Sequence, residues 1–411
     1  MQSCRSFRQA ASVLENFNKV KLMLHRTIRI FLLFFSVGTA IVRGQDKKLY
    51  QQFADSEISR FPEAWQLDHG KRLYFGYSQG VGCLAMLKVW QKTGEQRYFN
   101  YVEQWADTLI NERGEIHLYK VETYNIDYIN AGKILFSLYE ETGKEKYRMA
   151  IERLMAQLKH HPRTHEGAFW HKLIYPHQIW LDGRYMGDPF VAAYGKFTGE
   201  SSYWDDVINQ ILVTAKHTRD PNTGLYYHGW DESRNQLWAN KMTGQSPSFW
   251  GRSVGWWFMA LVDVLDFIPE DYPRRDSVLV LLQDLAQTLP SYQDKDGLWW
   301  QVLDQPGREK NYQEASVNSM FLYAYAKAVN KGYLPPTYRD VAEKALIGIK
   351  NNLLKKEDSG LWTLIQCNAV SGLGGHPYRD GSYTYYVNER IRENDAKATG
   401  PFIMALLELD R

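Results

Sequence analysis

Three segments of this 411-residue chain repeat one helix-ending turn, and this repeat constrains the fold more than any other feature. Each segment closes an apolar helical stretch with Thr-Gly and places a tyrosine four residues after the glycine: Thr93-Gly94 with Tyr98, Thr142-Gly143 with Tyr147, and Thr198-Gly199 with Tyr203. A glycine just past a helix adopts the left-handed conformation that closes the last turn, and the next helix can then begin. The repeat therefore predicts successive helix–turn–helix units.

The second helix of each unit runs into a loop that contains a glycine followed by aromatic or apolar residues. Five such loops begin at Gly114, Gly167, Gly224, Gly297 and Gly360. The spacings between them are 53, 57, 73 and 63 residues, which is long enough for one helical hairpin and a loop. With a last predicted helix at Phe402–Leu409, the pattern indicates about six hairpins.

The segments between the helical stretches contain no long alternating runs of Val, Ile and Thr, so a parallel sheet is disfavoured. Helical hairpins can close into a ring, with inner helices forming a barrel and outer helices surrounding it. We therefore predict an all-α fold, an (α/α)6 toroid of six helical hairpins, as a single domain over residues 45–411. An open solenoid is the alternative.

The N-terminal region resembles an export signal. Residues 22–44 place basic side chains before an apolar run from Ile30 to Val42. This run is too short to cross a bilayer, which requires about 20 apolar residues. We expect residues 1–44 to be an N-terminal extension and secretory signal, and the protein to be periplasmic or secreted without a stable membrane partner after cleavage. An uncleaved membrane anchor is the alternative.

Charge and cysteine content exclude several classes of protein. Seven of the 49 basic residues but only one of the 47 acidic residues lie in residues 1–44, so the remaining chain has a net charge of −4. Without a basic run, the chain is not expected to bind nucleic acid. Cys83 and Cys367, the cysteines beyond the signal, are too few for a cysteine-rich metal or iron–sulfur site. The sequence does not decide whether they form a disulfide.

Histidines crowd one stretch of the chain: His160, His161, His165, His171 and His177. Pro162 breaks the helix that would place two of them on one face, and their spacing fits no known metal geometry. We predict no metal and no cofactor. The protein is expected to be a monomer or a weak dimer.

Tryptophans are unevenly distributed, and ten of the 14 lie between Trp170 and Trp300. In a toroid of hairpins the connecting loops gather on one rim, and these loops hold most of the aromatic residues. Aromatic faces pack against the apolar C–H faces of sugar rings, so this rim suggests a carbohydrate ligand. The alternative is that the rings fill space between inner and outer helices.

The densest group of chemically active residues is Trp180–Phe190. Asp182 lies between aromatic residues that would shield it from water, as a general acid at neutral pH requires. Asp188 and Pro189 are interpreted as the N-cap and first residue of a helix over Phe190–Phe197. Asp127 is a second candidate acid, with capping of a helix from Asn130 as the alternative role.

Two further groups contribute polar residues to the same rim. The segment Asp220–Glu232 contains His228, and the segment Trp250–Trp257 contains Arg252, which can pair bidentately with a carboxylate. The second segment also reads Gly-x-Ser-x-Gly around Ser253. That motif requires a preceding strand, whereas a proline-containing loop precedes it here, so a nucleophilic Ser253 is disfavoured.

Taken together, these segments resemble the unsaturated rhamnogalacturonyl hydrolases of glycoside hydrolase family 105, and more distantly the unsaturated glucuronyl hydrolases of family 88. The resemblance extends from about Trp65 to the C-terminus. Its most specific parts are the three segments above, together with Glu314-Ala315-Ser316 and Asn394–Gly400.

The resemblance implies a substrate with a 4,5-unsaturated uronic acid at its non-reducing end, which is removed by hydration of the double bond. Asp182 matches the family's proton donor and Asp127 its second functional acid. Arg252 and Trp256 match positions that contact substrate, and the resemblance adds four lining residues: Trp180, His171, Lys172 and His228. The alternatives are an unsaturated β-glucuronyl hydrolase, a sugar-binding toroid without catalysis, and another barrel enzyme such as an epimerase.

Overall fold

The computed structural model describes residues 47–411, most of which are helical. The predicted extension and export signal, residues 1–44, lie outside the described residues. In chain order the helices are α1 (Leu49–Arg60), α2 (Tyr77–Thr93), α3 (Gln96–Leu109), α4 (Asp127–Ala131), α5 (Lys133–Thr142), α6 (Glu145–Lys159), α7 (Leu181–Thr198), α8 (Ser202–Thr218), α9 (Gly251–Val264), α10 (Arg275–Thr288), α11 (Ala315–Asn330), α12 (Arg339–Asn352), α13 (Tyr383–Asn388) and α14 (Ala396–Leu409).

The strands are short and form three separate antiparallel pairs within the described residues. They are β1 (Gln178–Trp180) with β2 (Gly229–Asp231), β3 (Leu354–Lys356) with β4 (Trp362–Leu364), and β5 (Cys367–Asn368) with β6 (Ile391–Arg392). All of them lie in connections between helices, so no parallel sheet forms from residues 47–411.

The inner helices close into a ring. Helices α2, α5, α7, α9, α11 and α14 pack in this order, and α14 packs back against α2. Helices α3, α6, α8, α10 and α12 lie outside, each against the inner helix that precedes it, while α1 covers α14 and completes the last hairpin. The predicted (α/α)6 toroid is therefore confirmed, and the open-solenoid alternative is wrong.

The Thr-Gly turns form as the sequence predicts. Gly94, Gly143 and Gly199 have φ values of 71°, 65° and 76°. Each glycine N–H donates to the carbonyl four residues earlier, at 2.7–2.9 Å. The preceding threonine hydroxyl binds the helix end as well, as when Thr93 Oγ1 donates to the Val89 carbonyl at 2.9 Å. These local bonds explain why the hairpins were visible in the sequence.

The inner helices are enclosed on all sides. Every residue of α9 is buried, which is typical of a helix in the interior of a large domain. Close helix contacts require small residues: a Cβ added at Gly80 in α2 would lie 2.6 Å from the Ala131 Cα in α4. Glycine at this position therefore permits the two backbones to approach.

The predicted start of the helix after Asp188 is wrong. Helix α7 begins at Leu181, so Asp188 and Pro189 lie in its interior and Asp188 is not an N-cap. A proline within a helix leaves the carbonyl four residues earlier without its usual donor. Here the Lys133 Nζ donates to that carbonyl, of Tyr185, at 3.0 Å, which helps the helix to continue through the proline.

Cys83 in α2 and Cys367 in β5 are both buried free thiols. Among the described helices, none is long and apolar enough to cross a membrane. The part of the chain that the structure describes contains no cluster of three or more His, Cys, Asp or Glu side chains placed to hold a metal ion.

Candidate active site

The N-terminal ends of the inner helices meet at one rim, because each inner helix follows an antiparallel outer helix and all six run in the same direction. Asp182 lies in the first turn of α7, Asp127 begins α4, which leads into α5, and Arg252 lies in the first turn of α9. The candidate residues from distant segments therefore lie at the same end of the barrel.

The short pair β1–β2 places His228 beside Asp182. Trp180 pairs with Gly229 in this ladder, and the Leu181 N–H donates to the His228 carbonyl at 3.0 Å. These backbone bonds hold Asp182, the next residue, close to the side chain of His228. Two segments that are separate in the sequence form one wall of the site.

Asp182 has a largely enclosed carboxyl group, with 14% of its side chain exposed. His228 is fully buried, and its Nε2 lies 3.1 Å from Asp182 Oδ2. Neither atom makes a hydrogen bond of ordinary geometry, so this is a close polar contact. Bonds in substrate-free sites often align only when substrate binds. On the other side of the ring, His228 Nδ1 is 2.7 Å from the Tyr386 hydroxyl.

This arrangement can serve Asp182 in both protonation states. A protonated Asp182 can donate toward His228 Nε2, with the Nδ1–H donating to the Tyr386 hydroxyl. An ionised Asp182 can accept from Nε2–H, with the tyrosine hydroxyl donating to Nδ1. A neutral imidazole has one donor and one acceptor nitrogen, so the two arrangements differ only in tautomer and hydroxyl direction. Such a partner suits a group that acts first as acid and then as base.

Asp127 is held on the other side of the site. Its Oδ2 lies 2.6 Å from Lys172 Nζ, and its Oδ1 lies 3.5 Å from His171 Nε2. No side chain caps α4, so the capping alternative for Asp127 is not observed. The loop is fixed by the backbone, since the Ile126 N–H donates to the His171 carbonyl at 3.2 Å. Asp127 therefore presents a carboxylate in a charge-assisted bond.

A stack of aromatic rings joins the two acids. The Trp180 ring stacks on both His171 and Tyr175, at centroid distances of 4.3 and 4.9 Å, and the latter two centroids are 6.5 Å apart. Burial lowers the pKa of His171 well below its ordinary value, and the charge of Lys172 lowers it further. His171 is consequently neutral at physiological pH. The close packing favours glycine at position 183, because a Cβ there would lie 3.0 Å from His171 Nδ1.

Arg252 and Trp256 lie in more enclosed positions than the resemblance implies. Arg252 is 1% exposed; its Nε donates to Ser316 Oγ at 2.6 Å and its Nη2 lies 3.2 Å from Glu314 Oε1 and also binds the Asn368 carbonyl. Burial lowers the pKa of Arg252, but the nearby acidic groups, Glu314 first and then Asp395, together outweigh burial and raise it. Trp256 is also 1% exposed and stacks on Tyr185 at 4.8 Å.

Their expected contacts with substrate therefore stay predictions. The structure gives Arg252 a clear role in linking α9 to the segment before α11. Glu314 in turn caps α11 by accepting from the Val317 N–H at 2.9 Å. The network orders three loops at the rim.

The sequence did not reveal Tyr175, Arg379 and Tyr386 as site residues. Arg379 Nη2 donates to the Tyr175 hydroxyl at 2.8 Å, and its guanidinium carbon lies 5.9 Å from the centroid of Trp180. None of the described ion pairs involves Arg379, so its charge is available to an anionic ligand. A cavity of about 600 Å³ adjoins these residues; its lining includes Tyr175, His376, Tyr378, Arg379, Tyr385 and Glu389. The only sequence signal was the Gly-rich, Tyr-rich segment 372–386.

The histidines between residues 160 and 177 have different partners in the structure. His161 Nε2 donates to the Trp170 carbonyl at 2.8 Å, while His165 and His177 both approach Glu232. Ser253 is buried, and its Oγ donates to the Trp250 carbonyl at 2.8 Å within the first turn of α9. Its surroundings are those of a structural serine.

Comparisons with known proteins agree with this site. Residues 49–411 match the family described as Glycosyl Hydrolase Family 88. A solved family 105 glycoside hydrolase of C. acetobutylicum is 42% identical, with a TM-score of 0.85 over 89% of this chain and 99% of that chain. Protein Atu3128 of Agrobacterium fabrum is 39% identical over 229 residues, 54% of this chain and 97% of that protein.

More distant relatives have named activities. The unsaturated rhamnogalacturonyl hydrolase YesR of Bacillus subtilis is 26% identical over 247 residues, 58% of this chain and 67% of that protein. An unsaturated 3S-rhamnoglycuronyl hydrolase of Formosa agariphila is 29% identical over 171 residues, 40% of this chain and 44% of that protein. The family resemblance inferred from the motifs is confirmed.

Proposed function

The chain belongs to glycosyl hydrolase family 88 and is a glycoside hydrolase, and from that premise we propose that it removes a 4,5-unsaturated uronic acid from the non-reducing end of oligosaccharides made by polysaccharide lyases. The observation that supports this most directly is the enclosed Asp182 carboxyl, 3.1 Å from an imidazole that can act as acceptor or donor. Hydration of a double bond requires a group that gives up one proton and then takes up another.

The proposed reaction begins when Asp182 donates its proton to C4 of the enol ether. Positive charge develops at C5 and on the ring oxygen. A water molecule then adds at C5, and the Asp182 carboxylate accepts its proton, which restores the acid. The hemiketal opens to a C5 ketone as its hydroxyl proton passes to the ring oxygen, which leaves a hemiacetal at C1. The C1–O bond to the remaining sugar then breaks: C1 becomes an aldehyde, and the hemiacetal proton passes to the oxygen of the leaving sugar. Asp182 thus acts as acid and base in turn.

Asp127 has a binding and electrostatic role in this proposal. Its ion pair with Lys172 holds the carboxylate in place, where it accepts hydrogen bonds from sugar hydroxyls. Its negative charge also favours the positive charge that develops at C5. The Trp180 ring and neutral His171 form an aromatic wall suited to the face of a sugar ring.

For the substrate, we propose an unsaturated galacturonyl-rhamnose unit from rhamnogalacturonan. The relative YesR, named for that activity, supports this choice. The cavity beside Tyr175 has room for the sugars that follow the uronate, and Arg379 provides a cation for an acidic sugar there. An unsaturated β-glucuronyl substrate is the second candidate, since the Formosa agariphila relative is named for a rhamnoglycuronyl substrate.

The test is an absorbance assay with a rhamnogalacturonan-lyase digest, in which the conjugated double bond disappears as product forms. We expect the protein to remove this absorbance and Asp182→Asn to lower kcat by about 10²–10⁴-fold, because an amide cannot supply the proton. Asp276→Asn, which changes an exposed acid in the outer helix α10, is the matched control. Full activity of Asp182→Asn would contradict the mechanism.

Parallel assays with unsaturated glucuronyl disaccharides decide between the two substrates. A higher kcat/KM for the galacturonyl-rhamnose substrate supports our first choice, and the reverse order supports the second. We also propose that the protein is exported, as residues 22–44 suggest. N-terminal sequencing of the protein from its native cell fractions tests this, and an intact residue 1 in the cytoplasm would contradict it.

A further inference from the structure

A second cavity lies inside the barrel, away from the candidate active site. Its volume is about 580 Å³, within the range of small-molecule sites. Much of its lining lies in the middle and C-terminal parts of inner helices, with Lys133 at the start of α5, whereas Asp182 and Asp127 lie in the first turns of α7 and α4. Along α7 the order is Asp182, then Tyr185, then Pro189, and Pro189 lines the cavity. Buried Tyr185, stacked on Trp256, lies between the two sites.

Basic side chains without carboxylate partners line this cavity. Lys133 donates to the Tyr185 carbonyl at 3.0 Å, and its Nζ lies 3.4 Å from the centre of the Tyr185 ring. Lys88 on α2 forms no ion pair or hydrogen bond with any described residue. The hydrogen bond to the Tyr185 carbonyl needs only one N–H of the Lys133 amine. A neutral amine can make this bond as well as a charged one can.

The two acids that line the cavity, Asp263 and Asp266, are paired with other lysines. Lys327 Nζ lies 2.5 Å from an oxygen of Asp263 and 2.5 Å from an oxygen of Asp266. Asp263 also accepts from the Tyr323 hydroxyl, and Asp266 is 3.3 Å from Lys331. The remaining charged residues of the lining, Glu140 and Lys196, are exposed at its mouth. Lys88 and Lys133 are thus left without an ion-pair partner among the described residues.

Burial lowers the pKa of Lys133 to about 7, with Lys327 and Lys88 adding to this effect and Asp263 and Asp188 opposing it. Burial also lowers the pKa of Lys88, with Lys327 assisting and Asp263, Asp266 and Glu408 opposing. An anion in the cavity would reverse this effect by favouring the charged amines. Binding should therefore be accompanied by uptake of protons near pH 7.

The rest of the lining is apolar and includes Leu84, Leu87, Phe136, Phe197 and Phe267. A free inorganic anion would gain nothing from these side chains. A molecule with an apolar body and one carboxylate would bury the body against the rings and direct the carboxylate to the amines.

We propose that this cavity is a second ligand site, separate from the hydrolytic one, and that it binds a small organic carboxylate through Lys88 and Lys133. The site goes beyond the proposed hydrolysis and does not depend on it. Its position on the far side of Tyr185 allows its occupant to be bound while the hydrolytic site is empty.

Calorimetric titration of the full chain with benzoate tests the proposal. We expect binding at pH 7.0 with proton uptake, seen as different heats in Tris and bis-Tris buffers. Lys88→Met and Lys133→Met should each weaken binding at least tenfold, whereas Lys159→Met, on an outer helix surface, should not. Benzyl alcohol, the neutral analogue, should show neither proton uptake nor any dependence on the two lysines.

Two further measurements distinguish the sites and guard against misfolded variants. Lys172→Met removes a cation from the hydrolytic site and should leave benzoate binding unchanged. In the wild-type protein, acetic anhydride at pH 7.0 should acetylate Lys133 faster than Lys159. Benzoate should slow the acetylation of Lys133 and leave that of Lys159 unchanged, as measured by peptide mass spectrometry. Absence of benzoate binding at millimolar concentration, unchanged affinity in Lys88→Met, or no protection of Lys133 would overturn the proposal.

Discussion

His161 should make the folded protein lose stability in mild acid, because it is buried in its neutral form. The ring is 4% exposed, and its Nε2 donates to the Trp170 carbonyl at 2.8 Å. Its Nδ1 must then act as the acceptor toward the Gln157 amide nitrogen, 3.4 Å away. That amide cannot simply reverse, since it also donates to the Asn125 carbonyl at 3.0 Å. If Nδ1 were protonated, its N–H would face the N–H of the Gln157 amide, and neither donor would have an acceptor.

The magnitude follows from the shift in proton affinity. Burial lowers the pKa of His161 from 6.5 to about 4; the hydrogen bond to the Trp170 carbonyl opposes this shift, and the charges of Arg184 and Arg163 add to it. The unfolded chain therefore binds a proton at higher pH than the folded chain. The contribution of His161 to the free energy of unfolding is fully present above pH 6.5 and is lost as the pH falls toward 4. At about 1.4 kcal/mol per pKa unit, the loss between pH 7 and pH 5 is about 2 kcal/mol.

The assay is urea unfolding followed by circular dichroism at pH 7, 6 and 5. The variant His161→Gln removes the titration, so its free energy of unfolding should fall by about 2 kcal/mol less than that of the wild type across this range. His160→Gln, which changes the exposed neighbouring histidine, should retain the wild-type slope. Parallel pH profiles for the wild type and His161→Gln, within about 0.5 kcal/mol, would refute the reasoning.

Other expectations concern the site and the packing of the barrel. Lys172→Met leaves Asp127 without its charge-assisted partner at 2.6 Å, so kcat/KM should fall by about ten- to hundredfold in the absorbance assay. Tyr386→Phe removes the hydroxyl that pairs with His228 Nδ1 in either tautomer, and kcat should fall about threefold to tenfold while KM changes little. Gly80→Ala introduces a Cβ 2.6 Å from backbone in α4 and should lower the free energy of unfolding by about 1–3 kcal/mol, measured with urea.

Each of these changes has a matched control nearby. Lys120→Met, which alters an exposed lysine, is the control for Lys172→Met. Tyr383→Phe is the control for Tyr386→Phe: Tyr383 is also on the short helix α13, but its hydroxyl binds the carbonyl of Glu309. Both should retain activity. At Gly82 a new Cβ would meet only the mobile end of the Leu67 side chain at 3.0 Å, so Gly82→Ala should destabilise less than Gly80→Ala. Equal effects in any variant and its control would contradict the assigned contact.

Some errors in the interpretation of the sequence arose where local signals have two meanings. Asp188-Pro189 is typical of a helix start, yet α7 continues through it. The reason is tertiary: Lys133, on another inner helix, donates to the carbonyl that the proline leaves unpaired. Asp188 is buried 3.5 Å from the Arg184 guanidinium, and burial raises its pKa to about 7, with Arg184 opposing.

The sequence by itself determined the hairpins and the two candidate acids, because these depend on local patterns: glycine caps, helical periodicity and short motifs. It favoured a closed toroid over an open solenoid, but the contact of α14 with α2 decided between them. Only the tertiary structure decided which side chains complete the site. His228 contacts Tyr386 across 158 residues, and Arg379 contacts Tyr175 across 204. Closure of the ring brings these segments together, and no pattern within one segment encodes that distance. Burial, likewise, is a property of the assembled barrel: it makes Arg252 a link between segments of the rim, and the cavity between inner helices holds Lys88 and Lys133 without carboxylate partners.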